Sequence, residues 1–91
     1  MELQELYQTI LNRKNFPADD SYTSSLFNKG LPRIAQKVGE EGTEVVVASL
    51  SQDDDRLIEE IADLTYHVLV LMAARGIQPG EILKELEKRK K

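Results

Sequence analysis

The stretch LTYHVLVLMAA, residues 64–74, is apolar on nearly every side of a helical projection. A surface helix needs only one apolar stripe, so a helix that is apolar all round is stable only where protein surrounds it. The rest of the chain must supply that cover, and the chain is short. Ninety-one residues make one domain, which buries about 60–70% of its unfolded surface and gains from association. Modest neighbouring helices do not easily enclose such a segment. The expected product is a homodimer whose helical core is shared between copies.

The remaining periodicity supports an all-α chain of four to five helices. Residues 2–14 space Leu3, Leu6, Tyr7, Ile10 and Leu11 along one helical face. The turn formers of NFPADDSYTSS make a loop. Its end, residues 21–30, has room for one helical turn around Leu26 and Phe27, with Gly30 as the stop. Pro32 suits the first turn of the next helix, which reaches about residue 50. SQDDD is a connection in which Ser51 or an aspartate caps a long helix to about residue 75. Gly76 ends that helix, and Pro79 opens a last one over about residues 80–89. VVVASL is apolar enough for a strand, but it continues the helical period without a turn signal.

Two acidic pairs interrupt the apolar faces. Glu41 stands within the seam of Ile34, Val38, Val45 and Ala48, and Glu44 follows it at helical spacing. Glu60 and Asp63 repeat the arrangement on the long helix, on a stripe that continues through His67 into Val70 and Ala74. Side chains three apart on a helix have Cβ atoms about 5–6 Å apart, so each pair can converge on one ion. A short connection favours antiparallel neighbours, which lets all four carboxylates face one point. Two unit charges about 5 Å apart repel by roughly 3 kcal/mol at an effective dielectric of about 20, so the cluster calls for neutralisation. A hard divalent cation supplies it. Oxygen ligation, with no cysteine and a single histidine, favours Mg²⁺, or Mn²⁺ as the alternative, over zinc.

The neighbours of these pairs read differently. Glu40 and Glu59 project elsewhere and are expected to be solvated. His67, one turn after Asp63, reads as a hydrogen-bonding partner of the cluster or a satisfied core histidine rather than a ligand. Lys29, Arg33 and Lys37 precede Glu41 at four-residue spacing. Cations beside an acidic metal site suit a polyphosphate. The same spacing equally suits an i,i+4 ion pair between Lys37 and Glu41.

Composition removes other classes of function. A net charge of −4 argues against a nucleic-acid-binding surface, and the basic tail KELEKRKK complements the dipole of a C-terminal helix. The opening MELQELYQ lacks the basic and apolar segments of a signal peptide. The longest apolar run, residues 68–74, falls far short of the roughly 18 residues of a membrane span. Lack of cysteine excludes disulfides and thiolate metal sites, and a cytoplasmic protein is expected.

SYTSSLFNKGLPRIAQKVGEEGTEVVVAS, followed by EEIADLTYHVLVLM, resembles the phosphoribosyl-ATP pyrophosphatase family of histidine biosynthesis, over nearly the whole chain. The ExxE and ExxD pairs are common to a wider all-α nucleoside-triphosphate pyrophosphatase group that includes MazG-type and dimeric dUTPase enzymes. SYT and ADLTYH point to the histidine branch. The resemblance implies Mg²⁺-dependent hydrolysis of phosphoribosyl-ATP to phosphoribosyl-AMP and pyrophosphate by a homodimer. A house-cleaning nucleoside-triphosphate pyrophosphatase of the MazG or dUTPase type is the alternative. It further implies Glu41, Glu44, Glu60 and Asp63 as metal ligands, with Glu41 or Glu44 taking the proton of the attacking water. Lys37, with Arg33 and Lys29, would hold phosphates. Ser21, Tyr22 and Thr23 would contact substrate or order their loop. Gly42 departs from the family's usual alanine, at about 1 kcal/mol of helix propensity. With no cyclohydrolase segment, the chain is expected to be the stand-alone form.

Overall fold

A computed structural model of the chain describes residues 1–90; Lys91, the last of the basic tail, lies outside them. Five helices follow in order: α1 (Leu3–Asn15), α2 (Tyr22–Lys29), α3 (Leu31–Ser51), α4 (Asp54–Arg75) and α5 (Pro79–Arg89). No strand occurs among the described residues, and VVVASL lies inside α3.

The helix ends follow from local chemistry. Gly30 closes α2 and opens α3 at φ 96°, a conformation that a side chain would strain. Pro32 then sits in the first turn of α3. The Asp53 carboxylate caps α4 by accepting from the Arg56 amide at 2.9 Å, while Ser51 is the last residue of α3. Gly76, at φ 72°, ends α4, where the Ile77 amide donates to the Met72 carbonyl at 2.9 Å. The single turn expected over residues 21–30 is instead an eight-residue helix, capped by Ser21 Oγ, which accepts from the Ser24 amide at 3.1 Å. So short a helix is marginal alone. Packing of Leu26 and Phe27 against the core stabilises it.

The link between α3 and α4 is two residues long, and the two helices pack along each other as an antiparallel hairpin. The core lies at the other end of α4. Tyr7 and Ile10 of α1, Leu26 of α2 and Ile34 of α3 close around Leu69, Val70, Met72 and Ala73. Two polar ties hold α1 there. The Tyr7 hydroxyl donates to the Ile77 carbonyl at 2.6 Å, and Lys14 Nζ donates to the Ala73 carbonyl at 2.9 Å. Both acceptors are at or just past the end of α4, and the Ala73 carbonyl also takes the Gly76 amide at 3.3 Å. Burial, with a smaller push from Glu81, raises the Tyr7 phenol above its usual range. The phenol that donates is therefore favoured by folding. Its contribution is complete below the ordinary phenol pKa and is lost only as pH rises through the raised one.

None of residues 64–74 is exposed, but several are only partly covered. Val70 and Ala73 have no exposed surface. Leu64, Val68, Leu69 and Met72 line an apolar groove of about 610 Å³, whose opposite wall is Leu3 of α1 with Leu83 and Leu86 of α5. A second uncovered apolar face carries Val46, Val47 and Leu50 of α3 with Ile58 and Ile61 of α4.

Gly42 lies within α3, and a Cβ built there would meet nothing within 4 Å. Gly42→Ala is therefore expected to stabilise the chain by up to about 1 kcal/mol, read as a higher melting midpoint. A lower midpoint would show that a second chain packs against this turn.

Candidate active site

The α3–α4 hairpin brings three of the four expected carboxylates together. One oxygen each of Glu41, Glu60 and Asp63 lies within 4.8 Å of the other two. Glu41 and Glu60 are buried, at 6% and 5% exposure, and Asp63 is exposed at the rim. Their position on the hairpin follows from spacing. Glu41 falls on the inward seam of α3 between Ile34 and Ala48, and Glu60 on the inward seam of α4 below His67 and Val70.

Each buried glutamate is half satisfied. Glu41 Oε1 takes Lys37 Nζ at 3.1 Å, and Glu60 Oε1 takes Arg56 Nη2 at 2.6 Å. The two pairs are alike, with a cation one turn earlier on the same helix in both. The other oxygens, Glu41 Oε2 and Glu60 Oε2, are buried without any hydrogen-bond partner. Leaving such an acceptor unmet costs about 1–3 kcal/mol, and more on a charged group. Two unmet carboxylate oxygens in one cluster, with Asp63 at its edge, are the hard donor set that a magnesium or manganese ion takes. The residues fit the ion expected there.

Electrostatics around the cluster is set by the same pairs. The hydrogen bond to Glu41 pushes the Lys37 ammonium above its usual range against a smaller opposing effect of burial, with Tyr22, Glu41 and Glu40 adding charge effects. Arg56 is likewise raised, by its hydrogen bond to Glu59 and then by the charges of Glu60, Glu59 and Glu44. Both cations are held charged beside the carboxylates.

The other expected residues take varied places. Glu44 is exposed and lies outside the converging group. Arg33 pairs with Glu40 at 3.5 Å, and Lys37 also approaches Glu40 at 4.0 Å, so Glu40 is half-exposed and tied rather than simply solvated. Glu59 is exposed and paired with Arg56 at 2.6 Å. Lys29 is exposed in the last turn of α2. Ser21 caps α2, Thr23 is buried and hydrogen-bonded to the Tyr66 hydroxyl, and the half-exposed Tyr22 hydroxyl meets His67 Nε2 at 2.9 Å. His67 is the satisfied core histidine. It is 6% exposed, and its Nδ1 meets the Asp63 carbonyl, not the carboxylate, at 2.7 Å.

Arg56 is the site residue that sequence reasoning missed. Its position four before Glu60 was the available signal, passed over because Arg56 directly follows SQDDD, which reads as a connection.

Residues 3–90 match the family model described as phosphoribosyl-ATP pyrophosphohydrolase. The phosphoribosyl-ATP pyrophosphatase of Saccharolobus solfataricus is 51% identical over 89 residues, covering 98% of this chain and 95% of the relative. The enzyme of that name from Sulfurisphaera tokodaii is 52% identical with the same coverage. That of Clostridium botulinum is 49% identical, over 97% of this chain and 80% of its own. With a family match from one end of the fold to the other, and half of all positions shared with such relatives, the chain belongs to the phosphoribosyl-ATP pyrophosphohydrolase family.

Proposed function

We propose that the chain hydrolyses phosphoribosyl-ATP to phosphoribosyl-AMP and pyrophosphate, in histidine biosynthesis, with magnesium as cofactor and manganese as the alternative ion. The observation that carries the metal site is the pair of buried, partnerless oxygens on Glu41 and Glu60. In this reading Glu41, Glu60 and Asp63 hold the ion. When bound, it supplies a water of lowered pKa and neutralises charge on the phosphate chain.

The chain's own residues do the rest. Lys37, kept charged by Glu41, presents fixed positive charge to a phosphate at the edge of the cluster. Arg33 and Lys29 extend that positive edge along α3 and α2. Glu44, exposed and free of the cluster, accepts the proton of the attacking water at its carboxylate. Ser21, Tyr22 and Thr23 order the segment that enters α2.

The protein acts as a homodimer in this proposal. Two apolar faces on one 91-residue chain exceed the scattered exposed apolar residues of an ordinary monomer. Product analysis of pure protein with phosphoribosyl-ATP and magnesium should yield phosphoribosyl-AMP and pyrophosphate in equal amounts, and faster turnover of canonical nucleoside triphosphates would overturn the substrate assignment. Light scattering at micromolar concentration should give twice the chain mass. A stable monomer would remove the dimer.

A further inference from the structure

Arg56 is the only lysine or arginine between residues 38 and 74, which span most of α3 and nearly all of α4. It stands on the carboxylate cluster itself. Its Nη2 donates to Glu60 Oε1 and its Nη1 to Glu59 Oε2, each at 2.6 Å. A guanidinium carries five N–H groups in a planar fork, so these two bonds leave three on a half-exposed side chain.

Helix direction decides where that side chain lies. Lys37 and Arg56 each precede their glutamate by four residues, about 6 Å of helix rise. Because α3 and α4 are antiparallel, the same offset points opposite ways. Lys37 lies on the core side of the carboxylates, and Arg56 on the side of the link between the helices.

The two sides differ in what else they carry. On the core side His67 follows Asp63 by one turn, and the Tyr22 hydroxyl meets it at 2.9 Å, which holds there a tyrosine 53% exposed. The link side has no aromatic residue, since residues 28–65 contain none. Asp53, Asp54, Asp55 and Glu59 are exposed on it instead. A purine stacks on an aromatic ring, whereas a pair of phosphates takes the forked, charged donors of a guanidinium. The acids beyond Arg56 repel any longer run of negative charge.

We propose that Arg56 is the pyrophosphate-binding residue, so that the substrate lies along the hairpin with its nucleoside toward Tyr22 and its β and γ phosphates toward the α3–α4 link. The inference rests on the function proposed above and adds to it a residue and a direction. Hydrolysis to phosphoribosyl-AMP and pyrophosphate breaks the bridge between the α and β phosphates, so that bridge stands over the carboxylates. Lys37 then holds the α phosphate, which stays with the nucleoside, and Arg56 the pair that leaves. A guanidinium already fixed on Glu59 and Glu60 needs little further ordering when phosphates arrive.

Titration calorimetry of the full chain with each product, at saturating magnesium, tests the assignment. Arg56→Gln should weaken pyrophosphate about tenfold or more, as for loss of charged hydrogen bonds, with phosphoribosyl-AMP held within about twofold. Lys37→Gln should show the opposite split. Arg56→Lys keeps a cation for Glu60, so its melting midpoint and magnesium affinity should stay near those of the wild type. Without the fork, pyrophosphate should still weaken about fivefold in that variant. Equal weakening of both products in the Arg56 variants would reduce Arg56 to a support for Glu60 and overturn the proposal. Unchanged pyrophosphate affinity, or a loss that falls on phosphoribosyl-AMP, would overturn it too while leaving the activity assigned. A wild type that binds neither product would instead remove the function itself, and the orientation with it.

Discussion

Glu41→Gln is expected to lower turnover at least about 10²-fold at saturating magnesium while leaving a helical, folded protein. The amide keeps the volume of the buried side chain and an acceptor for Lys37, so packing in the α3–α4 hairpin is preserved. What is lost is the charge and one of the two buried oxygens that no protein donor meets. Asp63→Asn and Glu60→Gln should behave alike, because the three carboxylates converge on one point. Glu44→Gln should differ in kind. Its carboxylate lies outside the converging group, so kcat should fall without weaker magnesium binding. Near-normal turnover in both Glu41→Gln and Asp63→Asn, measured by pyrophosphate release, would move the site elsewhere.

Magnesium should also stabilise the fold, and by a large amount. An ion that binds only the folded cluster contributes RT ln(1 + [Mg²⁺]/Kd), about 2.7 kcal/mol at a hundred times Kd. Thermal melts with and without chelator should show that gain in the wild type and a much smaller one in Glu41→Gln. Without metal, the order of stability depends on which force dominates. Carboxylate repulsion alone would make the wild type the weaker protein, but Lys37 and Arg56 already neutralise one oxygen each of Glu41 and Glu60. The new amide decides the sign, since it can donate toward the buried Glu60 Oε2, which lacks a partner. Metal-free Glu41→Gln should therefore melt at or above metal-free wild type. A much lower midpoint would mean that the charged pair with Lys37 is the reason for Glu41. Arg56→Ala should do the reverse, lowering the metal-free midpoint because it leaves Glu60 buried without its cation, and magnesium should restore part of the loss.

The helices were legible in the sequence because their signals are local. Gly30, Pro32, Gly76 and Pro79 act through their own backbone geometry, and α3 and α4 declare themselves by apolar spacing. The two acidic pairs were legible for the same reason, since a three-residue spacing already places two side chains on one face. The eight-residue α2 was not. A segment that short shows little periodicity, and its stability comes from Leu26 and Phe27 entering a core built by other helices. Nor could spacing tell that Glu44 stands outside the cluster while Asp63 closes it, because that choice depends on how α3 and α4 are rotated against each other. Local pairing supplied both readings of Lys37, and only the packed hairpin shows its ammonium on Glu41. Tyr22 is the sharpest case. The family resemblance had it contact substrate or order its loop, without a partner in the fold, whereas packing of α2 against α4 brings it onto a histidine 45 residues away. No helical period spans that separation, so the contact is decided by the tertiary fold alone.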